Sequence, residues 1–340
     1  MRVGLAGYGA WGRFHARALR ALPGVELTAV CCLRDATAAE ARADLQGVPV
    51  VRTLPDLLRR EPDAVDIVLP SHLHADTAVA ALAAGAHVIL EKPLATSRVD
   101  CDRILSMAAR AGRQISVVHE MRVSPQWGVI KREIEAGTLG DVQCAAFTLF
   151  RHPYRPGAAG WRYDRARVGS WLLEEPVHFF DLLLWYFAAH GDPVSVIAQS
   201  AGGEPGMSSS ILATVRYADG ACFQVSQMLG GFGHHCHLEL SGSEGALRTW
   251  WSADTARTTD ARFSMTIRRV GQSAPADIAI PESGEITELS LLLRDTLDGF
   301  QRDRALVPAS EARKAVLLCL AAEEAARAGA PHALSFGSVA

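Results

Sequence analysis

The sequence contains no run of apolar residues that approaches the roughly 18–20 needed to span a membrane, so no transmembrane segment is expected. It also lacks a strong charge of either sign, because the net charge is −3 over 340 residues. A nearly neutral chain gives no electrostatic reason to expect nucleic acid or an anionic membrane as a partner. Internal repeats and low-complexity tracts are absent as well, which leaves an ordinary globular architecture.

Cysteine is sparse and its pattern is uninformative. The seven cysteines are an odd number and are scattered without C-x-x-C spacing. This argues against a disulfide framework and favours free thiols in a reducing compartment. The first predicted strand begins at residue 2, which leaves no room for a signal peptide. We therefore expect a cytoplasmic protein.

The length suits two domains, and the texture of the sequence changes near residue 121. The first third alternates Val/Ile/Leu-rich runs with Ala-rich helical runs, which predicts a parallel sheet covered by helices on both faces. The predicted strands are Val25–Cys31, Ala64–Leu69, His87–Leu90 and Ile115–Val118. The helices predicted between them are Ala36–Leu45, His74–Ala84 and Val99–Ala111.

Residues 122–340 predict an α+β domain with a large, mostly antiparallel sheet. A helix over Ser124–Ala136 comes first, and a strong helical segment over Pro176–Ala189 interrupts the strands. Two helices, Glu285–Gln301 and Ser310–Ala328, close the chain. The predicted strands are Val142–Phe150, Val194–Ser200, Ile211–Tyr217, Cys222–Met228, His235–Leu240 and Ala246–Trp250.

A glycine-rich stretch near the N-terminus predicts a dinucleotide site. An apolar strand runs into Gly7-x-Gly9-x-x-Gly12, and a helix-compatible segment over Arg13–Ala21 follows. The first glycine permits a tight turn, the second lets the backbone approach a pyrophosphate, and the third lets helix and strand pack closely. Free N–H groups at the helix start would then receive the phosphates. The cofactor-binding residues predicted here are Gly7, Tyr8, Gly9, Ala10, Trp11 and Gly12.

Two further segments carry candidate chemistry. Lys92 follows the strand at His87–Leu90, and ligands of open α/β sheets bind at the carboxyl ends of the strands. A lysine before a turn is, on its own, usually a surface residue. Pro176 suits the first turn of a helix, which places His178 in that turn, where the helix dipole helps keep an imidazole neutral. A histidine in such a helix is more often structural than catalytic.

Together, these segments resemble the Gfo/Idh/MocA oxidoreductases, the family of glucose–fructose oxidoreductase and the inositol dehydrogenases. The resemblance covers nearly the whole chain. It implies an N-terminal Rossmann dinucleotide-binding domain at residues 1–121 and a substrate-binding and oligomerisation domain at residues 122–340. The motifs that carry it are Gly7-x-Gly9-x-x-Gly12, Pro70-Ser71-His72-Leu73-His74, Glu91-Lys92-Pro93 and Glu174-x-x-x-His178-x-x-Asp181.

The family's Glu-Lys-Pro lysine and Asp-x-x-x-His histidine are its usual catalytic pair, which implies Lys92 and His178 here. His178 is expected to act as base or acid on a substrate hydroxyl, and Lys92 to polarise that oxygen. Glu174 stands where the family usually has Asp, and we expect it to orient the imidazole or bind the substrate. The resemblance also implies cofactor contacts from Pro70, Ser71, His74, Glu91 and Lys92.

The end of the second strand bears on the choice between NAD and NADP. A carboxylate there binds the ribose 2′-hydroxyl of NAD. The expected position is held by Cys32, and Arg34 is near enough to meet a 2′-phosphate or stack on adenine. Asp35 could serve instead if the strand ends later. The sequence favours NADP slightly.

A histidine-rich strand and three possible cleft residues complete the candidates. His235, His237 and Glu239 would share one face of a strand and could hold zinc, but a place in a cleft or subunit interface explains them better, so no metal is predicted. The remaining substrate candidates, which could equally be core or surface pairs, are Arg122, Trp161 and Arg162.

The sequence therefore predicts an NAD(P)-dependent oxidoreductase. Its substrate is expected to be a small polyhydroxylated secondary alcohol or the matching ketone: a sugar, amino sugar, cyclitol or glycoside. We expect a homo-oligomer, dimer or tetramer, formed through the C-terminal sheet. Two alternatives remain: a regulatory protein of the same fold that binds cofactor and sugar without turnover, and a reductase of a non-sugar substrate.

Overall fold

The computed structural model describes residues 1–231 and 233–337, which form two β-sheets. One lies within residues 1–119, called the first half below, and the other lies within the residues that follow, called the second half. The strands of the first half are β1 (Arg2–Ala6), β2 (Glu26–Cys31), β3 (Val50–Val51), β4 (Ala64–Ile67), β5 (His87–Glu91) and β6 (Ile115–Val118). Its helices are α1 (Gly12–Ala21), α2 (Asp35–Asp44), α3 (Leu54–Leu58), α4 (His74–Ala83) and α5 (Arg98–Ala111).

The first sheet is parallel, with strand order β3-β2-β1-β4-β5-β6. Every residue of β4 and β6 is buried, as expected for strands covered on both faces. Local sequence signals mark both ends of α5. The Ser97 hydroxyl accepts a hydrogen bond from the Asp100 N–H at its start, and Gly112, with a φ of 58°, ends the helix. The predicted Rossmann-like architecture is confirmed. Because the strand order reverses beside β1, the carboxyl ends of β1 and β4 open a crevice.

The second half is built on a larger sheet. Its strands are β7 (Val142–Arg151), β8 (Ser195–Ala201), β9 (Ser210–Arg216), β10 (Cys222–Met228), β11 (His234–Gly242), β12 (Gly245–Ala253), β13 (Arg262–Arg269), β14 (Ala276–Asp277) and β15 (His332–Ala333). Its helices are α6 (Trp127–Glu135), α7 (Arg165–Val168), α8 (Pro176–Tyr186), α9 (Glu285–Phe300) and α10 (Ala309–Ala328). The strand order is β14-β13-β12-β11-β7-β10-β9-β8-β15, and the pairing is antiparallel except between β7 and β10. The predicted mostly antiparallel sheet is confirmed.

The sequence prediction missed several elements. Strands β3 and β13 and helix α3 were not predicted, and α6 begins at Trp127 instead of Ser124 because a 3₁₀ turn over Glu120–Val123 precedes it. Helix α8 ends at Tyr186, three residues early. Strand β13 exposes both its ends and buries only Met265 and Ile267, so its alternating pattern is short.

Helix α9 crosses between the two halves of the sequence. Its buried leucines, among them Leu289 and Leu293, pack in one apolar cluster with Val3, Leu5 and Leu19 of β1 and α1. The last third of the chain therefore supplies part of the core beneath the first sheet. The division at residue 121 stays a prediction, and sequence patterning did not reveal this return of the chain.

One face of the large sheet carries the core and the other is open. Helices α8 and α10 pack on the inner face against β10 and β8. The outer face exposes large apolar side chains on β7, β8 and β9: Phe150, Ile197 and Leu212. Within residues 1–231 and 233–337, the helices are too short or too polar to traverse a bilayer.

Candidate active site

A cavity of about 940 Å³ brings the separate sequence motifs together. The glycine loop 7–12 and Lys92 line it from the first sheet, and His178, Trp161 and Arg162 line it from the second half of the chain. This volume is at the upper end of the range for ligand pockets, roughly 300–1,000 Å³. The cavity lies at the carboxyl edge of the first sheet, where open α/β sheets bind their ligands.

The three glycines of the loop have different tasks. Gly7 has a φ of 109°, and a Cβ there would lie 2.2 Å from the Val68 carbonyl oxygen. A Cβ on Gly12 would lie 2.3 Å from the Gly7 carbonyl oxygen. A Cβ on Gly9 would meet nothing within 4 Å, because Gly9 faces the cavity. The loop and the start of α1 thus leave a cradle that fits a dinucleotide pyrophosphate.

The residues after β2 are those on which the sequence bases its choice between NAD and NADP. Cys32 and Arg34 line the cavity, as the sequence predicts. Strand β2 ends at Cys31, so Asp35 already belongs to α2, where its carboxylate pairs with the Arg52 guanidinium. No carboxylate among the described residues lies within 4 Å of Arg34, whose side chain is exposed. Asp35 is therefore occupied elsewhere, and Arg34 is exposed on the cavity wall beyond the end of β2.

Lys92 is held where β5 meets the second half of the chain. Its ammonium group donates a hydrogen bond to the backbone carbonyl oxygen of Glu174, and the Lys92–Pro93 peptide is cis. Pro70 and Ser71 also line the cavity. This contact ties the lysine to the segment that leads into α8.

His74 does not line the cavity, contrary to the prediction that it contacts the cofactor. Its ring is fully buried beneath the loops that follow β4 and β5. The Nδ1 atom lies 2.7 Å from the Pro93 carbonyl oxygen, and Nε2 lies 2.9 Å from that of Leu69. Two backbone acceptors hold the ring inward, so His74 joins the two loops instead of reaching a ligand.

Glu91 sits in a charge network that the sequence did not reveal. Its Oε1 accepts hydrogen bonds from Trp11 Nε1 at 2.8 Å and from His15 Nε2 at 3.1 Å. His15 Nδ1 in turn lies 2.8 Å from Asp66 Oδ2. Burial alone lowers the pKa of His15, but the two carboxylates outweigh it and raise that pKa to about 10. The resulting imidazolium links α1, β4 and β5 directly beneath the cavity.

His178 lies in the first turn of α8, with Pro176 at the helix start, as the sequence predicts. Its side chain is only 8% exposed. Burial, followed by the charges of Lys92 and His119, lowers the pKa of His178 well below its ordinary 6.5. The ring is therefore neutral at neutral pH, which is the state that a general base requires.

Glu174 does not orient His178. Its carboxylate accepts a hydrogen bond from Arg162 Nε, and the Arg162 guanidinium lies 4.5 Å from the centre of the Trp161 ring. The carboxyl group nearest to His178 is instead that of Glu120, whose Oε2 is 3.7 Å from Nδ1. Because Glu174 pairs with Arg162, its predicted role in orienting the His178 ring has no geometric support. Trp161 and Arg162, predicted as cleft residues, do line the cavity.

Arg122 lies outside the cavity, contrary to its prediction as a cleft residue. Its Nε and Nη2 donate to the two carboxylate oxygens of Asp181 at 2.8 and 2.7 Å, and its Nη1 pairs with Glu311. A bidentate pair of this kind fixes both partners. Arg122 and Asp181 therefore brace α8 from behind.

Several cavity residues had no signal in the sequence. Arg257, from the loop after β12, lies 4.7 Å from the centre of the Trp11 ring and 3.8 Å from Glu285. Glu288 on α9 accepts a hydrogen bond from the Ser124 hydroxyl at 2.5 Å, and burial raises its pKa to about 7. These residues belong to loops and to α9, which reach the site only through the tertiary fold.

The three candidate zinc ligands lie on the outer face of the large sheet. His237 Nε2 is 3.9 Å from Glu239 Oε1, but that carboxylate accepts a hydrogen bond from Arg248 Nε at 2.5 Å, and His235 stacks on Trp250. Across residues 1–231 and 233–337, no group of three or more His, Cys, Asp or Glu side chains is arranged to hold a metal ion.

We expect purified protein to contain less than stoichiometric zinc, and chelation to leave its activity unchanged. Elemental analysis before and after dialysis against a chelator is the measurement. His237→Ala should leave both metal content and turnover as they are, because Arg248 already neutralises Glu239. Stoichiometric metal that is lost in this variant would contradict the expectation.

Comparison with known proteins connects this geometry to a family. Residues 1–119 match "Oxidoreductase family, NAD-binding Rossmann fold", and residues 128–248 match "GFO/IDH/MocA C-terminal domain". The 4-carboxy-2-hydroxymuconate-6-semialdehyde dehydrogenase of Sphingobium sp. is 30% identical over 284 residues, which cover 82% of this chain and 84% of that protein. The chain belongs to the GFO/IDH/MocA oxidoreductase family.

Other members extend the comparison. The inositol 2-dehydrogenase of Acidothermus cellulolyticus is 30% identical over 73% of this chain and 72% of its own length. The crystal structure of the WlbA dehydrogenase from Bordetella pertussis with NADH and UDP-GlcNAcA has the same fold, with a TM-score of 0.79, 22% identity and coverage of 98% and 99%. The resemblance seen in the motifs is thus confirmed, and the GFO/IDH/MocA protein is a dehydrogenase or reductase with an NAD-binding Rossmann fold.

Proposed function

We propose that this GFO/IDH/MocA enzyme interconverts a secondary alcohol and a ketone on a sugar, amino sugar, cyclitol or glycoside, with Lys92 and His178 as its catalytic pair. The observation that carries the proposal is that both side chains line the same cavity as the glycine loop. The printed names of its relatives, which include inositol 2-dehydrogenase and 1,5-anhydro-D-fructose reductase, support this substrate class.

The chain's own residues supply the proton chemistry. The glycine loop, with Cys32 and Arg34, would hold a nicotinamide dinucleotide, which when bound would supply or accept the hydride. The neutral ring of His178 takes the hydroxyl proton when the alcohol is oxidised and returns it when the ketone is reduced. The Lys92 ammonium, fixed by the Glu174 carbonyl oxygen, stabilises the negative charge that develops on the substrate oxygen.

A substrate screen tests the proposed activity. The enzyme is incubated with NAD⁺ or NADP⁺ and a panel of sugars, amino sugars, cyclitols and glycosides, and absorbance at the nicotinamide band is followed. We expect turnover of at least one secondary alcohol. Turnover of planar or aromatic compounds alone would favour the non-sugar reductase.

A second substrate class, an alcohol that also carries a carboxylate or phosphate, is favoured by the arginines of the cavity. Arg155 lines the cavity and has no carboxylate within 4 Å among the residues the structure describes. Arg257 is largely desolvated, and Arg155 and Arg162 both add positive charge near it. The carboxylate of Glu285 lies 3.8 Å from Arg257, which is longer than a hydrogen bond. An anionic group of the substrate that bound among these arginines would reduce the repulsion between their guanidinium groups. The Sphingobium relative has a carboxy group in its printed name.

Replacement of Arg155 with alanine distinguishes the two classes. A lost charge-assisted hydrogen bond is worth about 1.5–3 kcal/mol, so KM for an acidic substrate is expected to rise roughly 10- to 100-fold. KM for a neutral sugar should change little. Arg165→Ala, on the short helix α7, is the matched control, because Arg165 does not line the cavity. Equal KM values for acidic substrates in Arg155→Ala and wild type would exclude the acid subsite.

NADP is the cofactor we favour, and Arg34 is the residue that decides it. Its position at the end of β2, with Asp35 paired to Arg52, supports binding of a 2′-phosphate. Arg34→Ala should weaken NADPH binding roughly 10- to 100-fold by the same loss of about 1.5–3 kcal/mol and leave NADH affinity nearly unchanged. Fluorescence titration of both cofactors measures this. Equal losses would indicate stacking on adenine.

A homo-oligomer through the C-terminal sheet remains part of the proposal. The outer-face residues Phe150, Ile197 and Leu212 are each more than 40% exposed, which supports a covered surface in the assembly. Sedimentation of wild type and of Leu212→Glu tests it: we expect a dimer or tetramer that the charge dissociates. A wild-type monomer would contradict the proposal.

A further inference from the structure

Glu120 is a buried carboxyl group beside His178 that the proposed mechanism does not use. It follows β6 and opens the 3₁₀ turn at Glu120–Val123. Its Oε2 atom lies 3.7 Å from His178 Nδ1, and both side chains are less than 10% exposed. Both also line the cavity. Two buried titratable side chains therefore face each other beside the proposed catalytic histidine.

The orientation of the ring supports a link between them. His178 Nδ1 is buried and has no hydrogen-bond partner among the described residues, which leaves Nε2 as the nitrogen that faces the cavity. A distance of 3.7 Å is longer than a hydrogen bond. Catalytic hydrogen bonds are often long in a ligand-free enzyme and shorten when substrate binds. Glu120 is placed to become the partner of Nδ1 in that complex.

The other carboxylates near α8 are already engaged. Glu174 accepts from Arg162, and Asp181 holds Arg122 in a bidentate pair. Glu288 accepts hydrogen bonds from Ser124 and from the Gly284 N–H. Glu120 pairs with no lysine or arginine within the part of the chain that the structure describes. Glu175, just before α8, pairs with Arg151 and His234, so Glu120 is the described carboxyl group within 4 Å of the His178 ring that has no Lys or Arg partner.

We propose that Glu120 is the positioning residue of His178 and the acceptor of its Nδ1 proton. When the alcohol is oxidised, the hydroxyl proton passes to Nε2 and the Nδ1 proton passes to the Glu120 carboxylate, while the carbinol hydrogen leaves as hydride to the cofactor. Reduction of the ketone reverses both proton transfers. The proposal rests on the proposed function, in which His178 exchanges the substrate proton.

The charges around Glu120 and His178 indicate which of the two groups carries a proton near neutral pH. Three carboxyl groups face Glu120: Glu91 at the end of β5, and Glu285 and Glu288 on α9. Burial, followed by these charges, raises the pKa of Glu120 well above 4.5. Lys92 and His119 face His178 and, with burial, hold its pKa well below 6.5. The proton that must leave before oxidation therefore sits on Glu120. Oxidation should speed up, and reduction slow down, as pH rises through the raised pKa.

Glu120→Gln tests the proposal through the pH profile. An amide can hold the ring but cannot take up a proton, so kcat for oxidation is expected to fall roughly 100-fold, at the low end for a proton-transfer group. The rising limb of the profile should move to below pH 6.5, where only His178 titrates, and KM should stay within about twofold. The substrate is the alcohol that the screen identifies. Glu323 is a half-buried acid outside the cavity whose pKa is also raised by burial, so Glu323→Gln is the control and should keep the wild-type profile.

A second readout needs no substrate. In ¹⁵N-histidine NMR spectra, the His178 resonance is assigned by its loss in His178→Ala. We expect its Nδ1 shift in wild type and Glu323→Gln to follow the titration of Glu120, and this change to be missing in Glu120→Gln. Wild type should also lose stability as pH rises above 4.5 through the raised pKa, because the buried acid must then ionise; Glu120→Gln should lose less.

The outcomes separate this proposal from the proposed function. A Glu120→Gln enzyme with the wild-type pH limb and an unchanged His178 titration overturns the role of Glu120 alone. A rise in KM with an unchanged limb also overturns it, because Glu120 would then contact the substrate directly. Normal turnover in His178→Ala overturns the proposed function itself.

Discussion

Replacing His178 with alanine is expected to lower kcat by about 100- to 10,000-fold, the range supplied by a general acid or base. The neutral ring of His178 can take a hydroxyl proton without first losing one of its own. Cofactor affinity should stay within about twofold of wild type, because His178 lies on α8, away from the glycine loop. Stopped-flow or steady-state oxidation of the alcohol found in the screen, with cofactor titration alongside, measures both quantities.

Controls for this loss come from the same region of the chain. His190→Ala removes a histidine just beyond α8 that pairs with Asp219 at 2.6 Å outside the cavity, and it should leave kcat unchanged. Lys92→Met should reduce kcat to a similar degree as His178→Ala, since it removes the positive charge at the substrate oxygen. If His178→Ala turns over at a rate close to wild type, another group is the base.

Gly9→Val should abolish dinucleotide binding in a protein that still folds. A side chain at this position enters the cavity and keeps the pyrophosphate from the loop N–H groups. Loss of two charge-assisted hydrogen bonds, at about 1.5–3 kcal/mol each, corresponds to a decrease in affinity of roughly 100-fold or more. The structure shows open space within 4 Å of a Cβ here, so the melting temperature without cofactor should hardly change.

Gly12→Val is the informative comparison. Its Cβ would lie 2.3 Å from the Gly7 carbonyl oxygen, so this variant should lose stability as well as cofactor affinity. Fluorescence titration and thermal unfolding of both variants separate the two effects. Wild-type affinity in folded Gly9→Val would remove the glycine loop from the cofactor site.

The linear sequence was enough to predict the elements that depend on neighbours along the chain. Buried strands of Val, Ile and Leu, the glycine turn and the helix that Pro176 starts are all local patterns, and the structure has them within a few residues. The family could also be recognised from the sequence alone, since its motifs are short runs of neighbouring residues. The rule that ligands bind at the carboxyl ends of parallel strands predicted the place of Lys92, whereas the family resemblance implied that His178 shares its site; both side chains line one cavity.

Partners of the site residues were decided by the tertiary structure alone. The family resemblance implied that Glu174, four positions before His178, orients the ring, yet it pairs with Arg162 while Glu120 lies beside the ring. Arg122, predicted as a cleft residue, forms an ion pair with Asp181 instead. His74, predicted to contact the cofactor, lies against two backbone carbonyl oxygens. Each outcome depends on which charge or acceptor burial brings near, and burial joins residues far apart in the chain. Ion pairs and desolvation depend on which groups are close in space, and the separation of two residues along the chain does not give that distance. The partner of each site residue is therefore known only from the tertiary structure.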